Sequence, residues 1–219
     1  MSSFSDWYMY LVVAVIFIAF FIVVRRKEKK RTEALSQWAR SRGYSFLEQD
    51  SNMVGAQFTR YLELFNCGRS IKFRNVIRAT IEGKESQFFD YEYVTGSGKH
   101  STTHCQTVAA FSLVSTMFPE FTLSPESFFH KIGSLVGYDD IDFPEDEMFS
   151  KTCFLRAKDM NAVKNIFNPQ VRSALLLNKG WSIESGAHWL IVYKADDRIN
   201  VEDFSDFVQE TTHLFHLFE

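Results

Sequence analysis

The chain has 219 residues, with 24 Lys/Arg against 27 Asp/Glu for a net charge of −3, and 23 Phe. The balance argues against a nucleic-acid binder, which shows a basic face that neutralises phosphates. The three cysteines, Cys67, Cys105 and Cys153, are dispersed with no CxxC pair, so free thiols are expected in place of a disulfide framework or a zinc site.

In chain order, the first element is Tyr8 to Val24, YMYLVVAVIFIAFFIVV, seventeen residues without a charge, Gly or Pro. As a helix it spans about 26 Å, close to a hydrocarbon core of about 30 Å, and Trp7, Tyr8 and Tyr10 suit the headgroup boundary. Arg25, Arg26, Lys27, Lys29, Lys30 and Arg31 follow, against the single Glu28, whereas only Asp6 is charged on the other side. This bias predicts a single-pass inner-membrane protein, N-terminus outside and C-terminal domain cytoplasmic. A cleaved signal peptide would place its positive charges before the apolar run and a small-residue cleavage site after it, and neither is present. A buried core helix would have to hide Phe17, Phe20 and Phe21 on every face.

The expected organisation is therefore a short extracytoplasmic N-terminus over residues 1–7, a transmembrane helix over 8–24, a basic juxtamembrane neck over 25–31 and one cytoplasmic α+β domain over 32–219. Without the first 31 residues the count is 18 Lys/Arg against 25 Asp/Glu, a net charge of −7. The neck suits anionic lipid headgroups, at about 1 kcal/mol per cation near the surface.

Within the domain, Ala34, Leu35, Trp38 and Ala39 mark a helical face that Gly43 closes, and this helix is a candidate to continue the membrane segment. A short extended piece at Tyr44 to Leu47 follows, then a weaker helical face at Val54, Phe58, Leu62 and Phe65. From Ile71 to Leu113 the period becomes two. Ile77, Ala79 and Ile81 oppose Arg78, Thr80 and Glu82; Phe89, Tyr91 and Tyr93 share a face; Thr103 to Leu113 resume the alternation. The simplest topology is an antiparallel three-stranded meander.

Ser124-Pro125-Glu126 reads as a helix start, with Phe128, Phe129, Ile132 and Leu135 inward and Gly137 closing. An acidic turn spans Asp139 to Glu147. Beyond it, Cys153 to Arg156 is extended, Asp159 caps Met160 to Phe167, and Pro169 to Leu177 is helical. Trp181 to Glu184 pairs with His188 to Lys194 across Ser185-Gly186-Ala187, and Asn200 opens a last helix with Asp203 at its third position. Phe204, Phe207, Val208, Thr211, Leu214, Phe215 and Phe218 form its apolar stripe.

The apolar N-terminus with its basic stop, WARSRGY, FFDYEYVTGSGKH, FPEFTLSPE and DIDFPEDEMFS together resemble a group of bacterial membrane-anchored proteins of unknown function, over most of the chain. The resemblance implies a single N-terminal transmembrane helix and an α+β cytoplasmic domain. It transfers no activity.

No catalytic, cofactor-binding or metal-binding residue is assigned. GSGKHST lacks P-loop spacing, because Tyr93 and His100 stand where Gly and Ser/Thr belong. His100 and His104 are about 13 Å apart on one strand face, and His213 and His216, at i and i+3, lack further ligands. The Asp139–Glu147 cluster lacks calcium-loop spacing. The expected role is a membrane-tethered interaction or accessory module. The alternative is a membrane-anchored enzyme or small-ligand-binding domain, which would need a deep pocket where His188, His104 or Asp90 meets another titratable group.

Overall fold

The computed structural model describes residues 3–50, 60–113, 118–126 and 139–219. Its first element is a single 39-residue helix, α1 (Ser3–Ser41), about 58 Å long at 1.5 Å per residue. The helix has two environments. Residues 7–24 are exposed throughout, and none of the apolar window is buried within the protein. Past the basic run, Leu35 and Ala39 are buried. Trp38 donates its indole N–H to Ser205 Oγ at 2.9 Å and meets Phe204 edge-on at 4.8 Å. Gly43, at φ +74°, supplies the left-handed residue that ends the helix.

A nine-stranded antiparallel sheet follows, so the fold is α+β. Strand β1 (Ser45–Gln49) pairs with β2 (Arg69–Ile81), then β3 (Lys84–Thr95) and β4 (Thr102–Ser112) extend the meander. The other half comprises β5 (Phe121–Pro125), β6 (Asp139–Asp140) and β7 (Cys153–Ala157). The late hairpin of β8 (Ser182–Gly186) and β9 (Trp189–Tyr193) joins the halves, giving the order β1-β2-β3-β4-β9-β8-β5-β7-β6.

The period-two pattern sorts side chains to two faces. Ile77, Phe88, Phe111, Leu123, Ile183 and Val192 face the helices α2 (Glu147–Thr152), α3 (Met160–Ile166), α4 (Pro169–Leu177) and α5 (Phe204–His216) in the main core. Phe73, Phe89, Tyr91, Tyr93, Ile191 and Tyr193 face the other way and are covered by Leu62, Leu64 and Phe65. Both faces of the central strands are thus dry, and the apolar surface buried is the main stabilising term.

Several boundaries differ from the sequence reading. The closing hairpin turns at Ala187-His188, φ +49° and +67°, while Ser185 and Gly186 remain in the ladder; a two-residue turn with both φ positive matches the strand twist. Gly186 is required for another reason, since a Cβ there would lie 2.6 Å from the Tyr61 carbonyl oxygen. Strand β5 runs through Ser124 and Pro125, which pair with Phe154 and Cys153, so Ser124 is a ladder residue and not the cap, while Glu126 is helical as expected. Helix α5 starts at Phe204 with Asp203 as its N-cap; Asn200 opens a preceding turn and donates to Asp203 at 3.3 Å. Glu63–Asn66 is a 3-10 turn, not the end of an α-helix. The expected inward faces at Val54 and Phe58 and at Phe128 to Leu135 lie outside the described residues.

Candidate functional site

Asp90 sits mid-strand in β3, in FFDYEYV, with buried residues on both sides and only 3% of its surface exposed. A carboxylate there is tolerated only if its oxygens are occupied. Arg31 of α1 supplies two bonds, Nε to Oδ2 at 2.9 Å and Nη2 to Oδ1 at 2.8 Å. Arg198, between β9 and α5, adds Nε and Nη2 to Oδ2 at 3.1 and 3.0 Å. Thr107 Oγ1 donates to Oδ1 at 3.0 Å, and Asn75 Nδ2 donates to Oδ2 at 2.8 Å. Asn75 reaches this position because β2 bulges between Arg74 and Ile77, with Asn75 itself at φ +52°.

The network returns to the helix. Arg198 also holds Glu28, one turn before Arg31, at 2.6 and 2.7 Å, and Arg31 Nη1 donates to the Ile199 carbonyl at 2.6 Å. Two acids and two guanidinium groups leave the cluster neutral. Burial alone would raise the Asp90 pKa, but the hydrogen bond from Arg31 and the charges of Arg198 and Arg31 hold it below the usual carboxylate range. Glu28 is also lowered, first by its hydrogen bond from Arg198, with burial opposing.

Arg31, counted from sequence among the free cations of the neck, is therefore a structural partner of the sheet. Only three residues lie between Val24 and Glu28, about 6 Å of helix rise. Among the described residues no flexible linker separates the apolar helix from the domain, and α1 and the sheet are joined by bidentate ion pairs as one unit.

A second buried cluster lies on the opposite sheet face. Glu184 of β8 is 1% exposed; it accepts from Tyr193 Oη at 2.7 Å and from the Leu64 amide, at 3.2 Å to each oxygen. Burial pushes its pKa up to about 7, reinforced by the charge of Glu63, while the bonds from Tyr193 and Leu64 pull back. Glu63 is paired with Arg156 at 2.7 Å. This carboxyl has no opening to solvent and its bonds fasten the Glu63–Asn66 turn to the sheet.

Asp90 converges with other titratable groups, its oxygens are filled by protein donors, and it lines none of the clefts observed among the described residues; the cluster locks α1 to the sheet. His104 is half-buried between Asp196, 2.6 Å from Nδ1, and Thr95, 2.9 Å from Nε2, and stacks on Tyr93 at 4.7 Å. His188 is exposed in its hairpin turn. His216 places Nδ1 2.6 Å from Glu219 and Nε2 2.7 Å from Glu82, so both ring nitrogens are engaged, and His213 is exposed. In the acidic turn, Asp146 caps α2 through the Phe149 amide and accepts from the buried Arg172 at 2.9 Å, which ties that turn into the core instead of leaving it wholly solvated. No group of three metal-ligating side chains occurs among the described residues. The three cysteines are free and half-buried, and burial pushes each thiol up to about 11.

Sequence reasoning named Asp90 but missed Arg31, Arg198 and Glu28 as its partners. The available signal was an acid inside an apolar strand.

No family model matches the chain, and no curated protein matches it. The fold is similar to that in the crystal structure of the mycobacterial trehalose monomycolate transport factor A, TtfA, with a TM-score of 0.58 and 11% sequence identity over 86% of this chain and 96% of that one. At that identity the likeness is one of fold alone.

Proposed function

We propose that the chain is a single-pass accessory module of a bacterial inner membrane, N-terminus outside, whose cytoplasmic α+β domain is mounted rigidly at the bilayer surface to engage other membrane components. The observation that carries the reading is the division of α1: residues 7–24 are exposed, whereas Glu28, Arg31, Leu35 and Ala39 are bound to the sheet domain. Orientation rests on Arg25, Arg26, Lys27, Lys29 and Lys30, which keep the positive bias even with Arg31 withdrawn into its pair with Asp90. TtfA is a transport factor, and an accessory role here is in keeping with that. Among the described residues outside α1, the exposed large apolar side chains include Leu47, Met148 and Leu177, and the partner contact is assigned to no sheet face.

The test is twofold. The full chain should resist alkaline carbonate extraction from membranes, and a reporter fused after Glu219 should be active in the cytoplasm. Proximity labelling from Glu219 should then enrich polytopic membrane proteins over an unrelated single-pass anchor bearing the same tag. Release by carbonate removes the anchor, far-side activity reverses the topology, and labelling equal to the control removes the accessory role.

A further inference from the structure

Where α1 passes from its apolar to its basic part, the helix and the edge of the sheet enclose a cleft of about 800 Å³. Phe21, Val24, Arg25 and Lys29 line it from α1, Glu48 from β1 and Arg74 from β2. Phe21 to Lys29 is about 12 Å of helix rise, so the cleft grades from acyl-chain depth to headgroup depth. Arg25 lies over the Phe21 ring at 4.4 Å, and Lys29 is loosely paired with Glu33 at 3.8 Å, both side chains largely exposed. The Arg74 side chain is half-buried and makes no hydrogen bond or close ion pair among the described residues, though its charge acts on Glu28. Its nearby carboxylate, Glu28, has both oxygens held by Arg198. Glu28 also lines the cleft and its charge acts on Arg74 as well as on Arg198, so Arg25, Lys29 and Arg74 stand beside Glu28, Glu33 and Glu48, with Arg198 behind Glu28 as a fourth cation.

We propose that this cleft binds one anionic phospholipid, its phosphate among Arg74, Arg25 and Lys29, its acyl chains along Phe21 and Val24, and headgroup hydroxyls donating to Glu48. This rests on α1 spanning a membrane and goes beyond it by drawing a sheet residue, Arg74, into contact with the bilayer. Attraction by the basic run alone needs no such residue and selects no single lipid molecule.

The test uses the full chain in nanodiscs containing equal amounts of phosphatidylcholine and phosphatidylglycerol, with retained lipid read by native mass spectrometry. Wild type should keep one phosphatidylglycerol in preference to phosphatidylcholine. Arg74→Gln should weaken that retention about fivefold, as expected for one cation at a headgroup, and Arg74→Lys should restore most of it. Lys30→Gln, on the same basic run but outside the cleft, should behave as wild type. Equal retention by Arg74→Gln with an unchanged melting temperature, or an equal loss in Lys30→Gln, overturns the cleft. Displacement by soluble glycerol phosphate overturns the lipid in favour of a free phosphate. A chain that fails to enter nanodiscs and washes off membranes in carbonate overturns the anchor, and the lipid site with it.

Discussion

Arg31 on the membrane-proximal helix and Asp90 on a central strand stand 59 residues apart in the chain and meet through two hydrogen bonds of 2.8 and 2.9 Å. This pair, completed by Arg198 and Glu28, makes the orientation of the anchor a property of the sheet. Breaking such a pair from one side leaves buried charge uncompensated. Asp90→Ala should therefore destabilise the domain by about 3 to 5 kcal/mol in urea unfolding, with Asp90→Asn intermediate. A loss under about 1 kcal/mol for the alanine variant would mean that Arg31 and Arg198 relax into solvent and that the lock is slack.

The same network sets the boundary of an independently folding domain. A fragment beginning at Arg25 keeps Glu28 and Arg31, whereas one beginning at Thr32 loses both while retaining Leu35, Trp38 and Ala39. Both should be soluble, and the shorter should melt about 5 to 10 °C lower by scanning calorimetry. Equal melting temperatures would show that the neck contributes nothing to the fold.

Phe215 is 1% exposed and stacks on Phe111 at 4.9 Å. Truncation leaves a cavity between α5 and β4, and Phe215→Ala should cost about 3 to 5 kcal/mol. The denaturation midpoint should fall with an unchanged slope; a cost below about 1 kcal/mol would place the ring outside the core.

Stability should also depend on pH through Glu184. Its pKa rises from 4.5 to about 7 on folding, so its contribution is fully present below 4.5 and is lost as pH rises through about 7, on the order of 3 kcal/mol. Glu63, raised first by its own burial, acts in the same direction. Asp90 has the opposite sign: its pKa is lowered, so its contribution holds above the usual carboxylate range and is lost as pH falls through its folded value. Between about pH 5 and 8 wild type should therefore lose stability, and Glu184→Gln should flatten that slope. An unchanged slope in the variant would assign the dependence to another group.

Much of the fold was legible locally. The apolar run to Val24, the alternation from Ile71 to Leu113, the capping of α3 by Asp159, which accepts from the Ala162 amide at 3.0 Å, and the apolar stripe of α5 each lie within one element. The misplaced boundaries share a cause. Asn200 and Ser124 are good caps by residue type, but tertiary pairing takes Ser124 into the sheet and holds Asn200 in a turn. The two-residue turn at Ala187-His188 carries no Asn or Gly in its two central positions to announce it.

The candidate site was legible only as an anomaly, Asp90 within an apolar strand. What the sequence by itself determined was the type of the longer elements, the face they bury and the charge bias beside the apolar helix, because these depend on neighbours within a few residues; the short helix α2, strand β6 and the 3-10 turn at Glu63–Asn66 were not read from it. Tertiary structure decided that β8 and β9 lie between β4 and β5, and that Arg31 and Arg198 serve Asp90. The physical reason is that any of the 24 Lys/Arg could satisfy a carboxylate by chemistry alone, and only the packing of α1 against the sheet, set by Leu35, Trp38 and Ala39, selects which ones reach it.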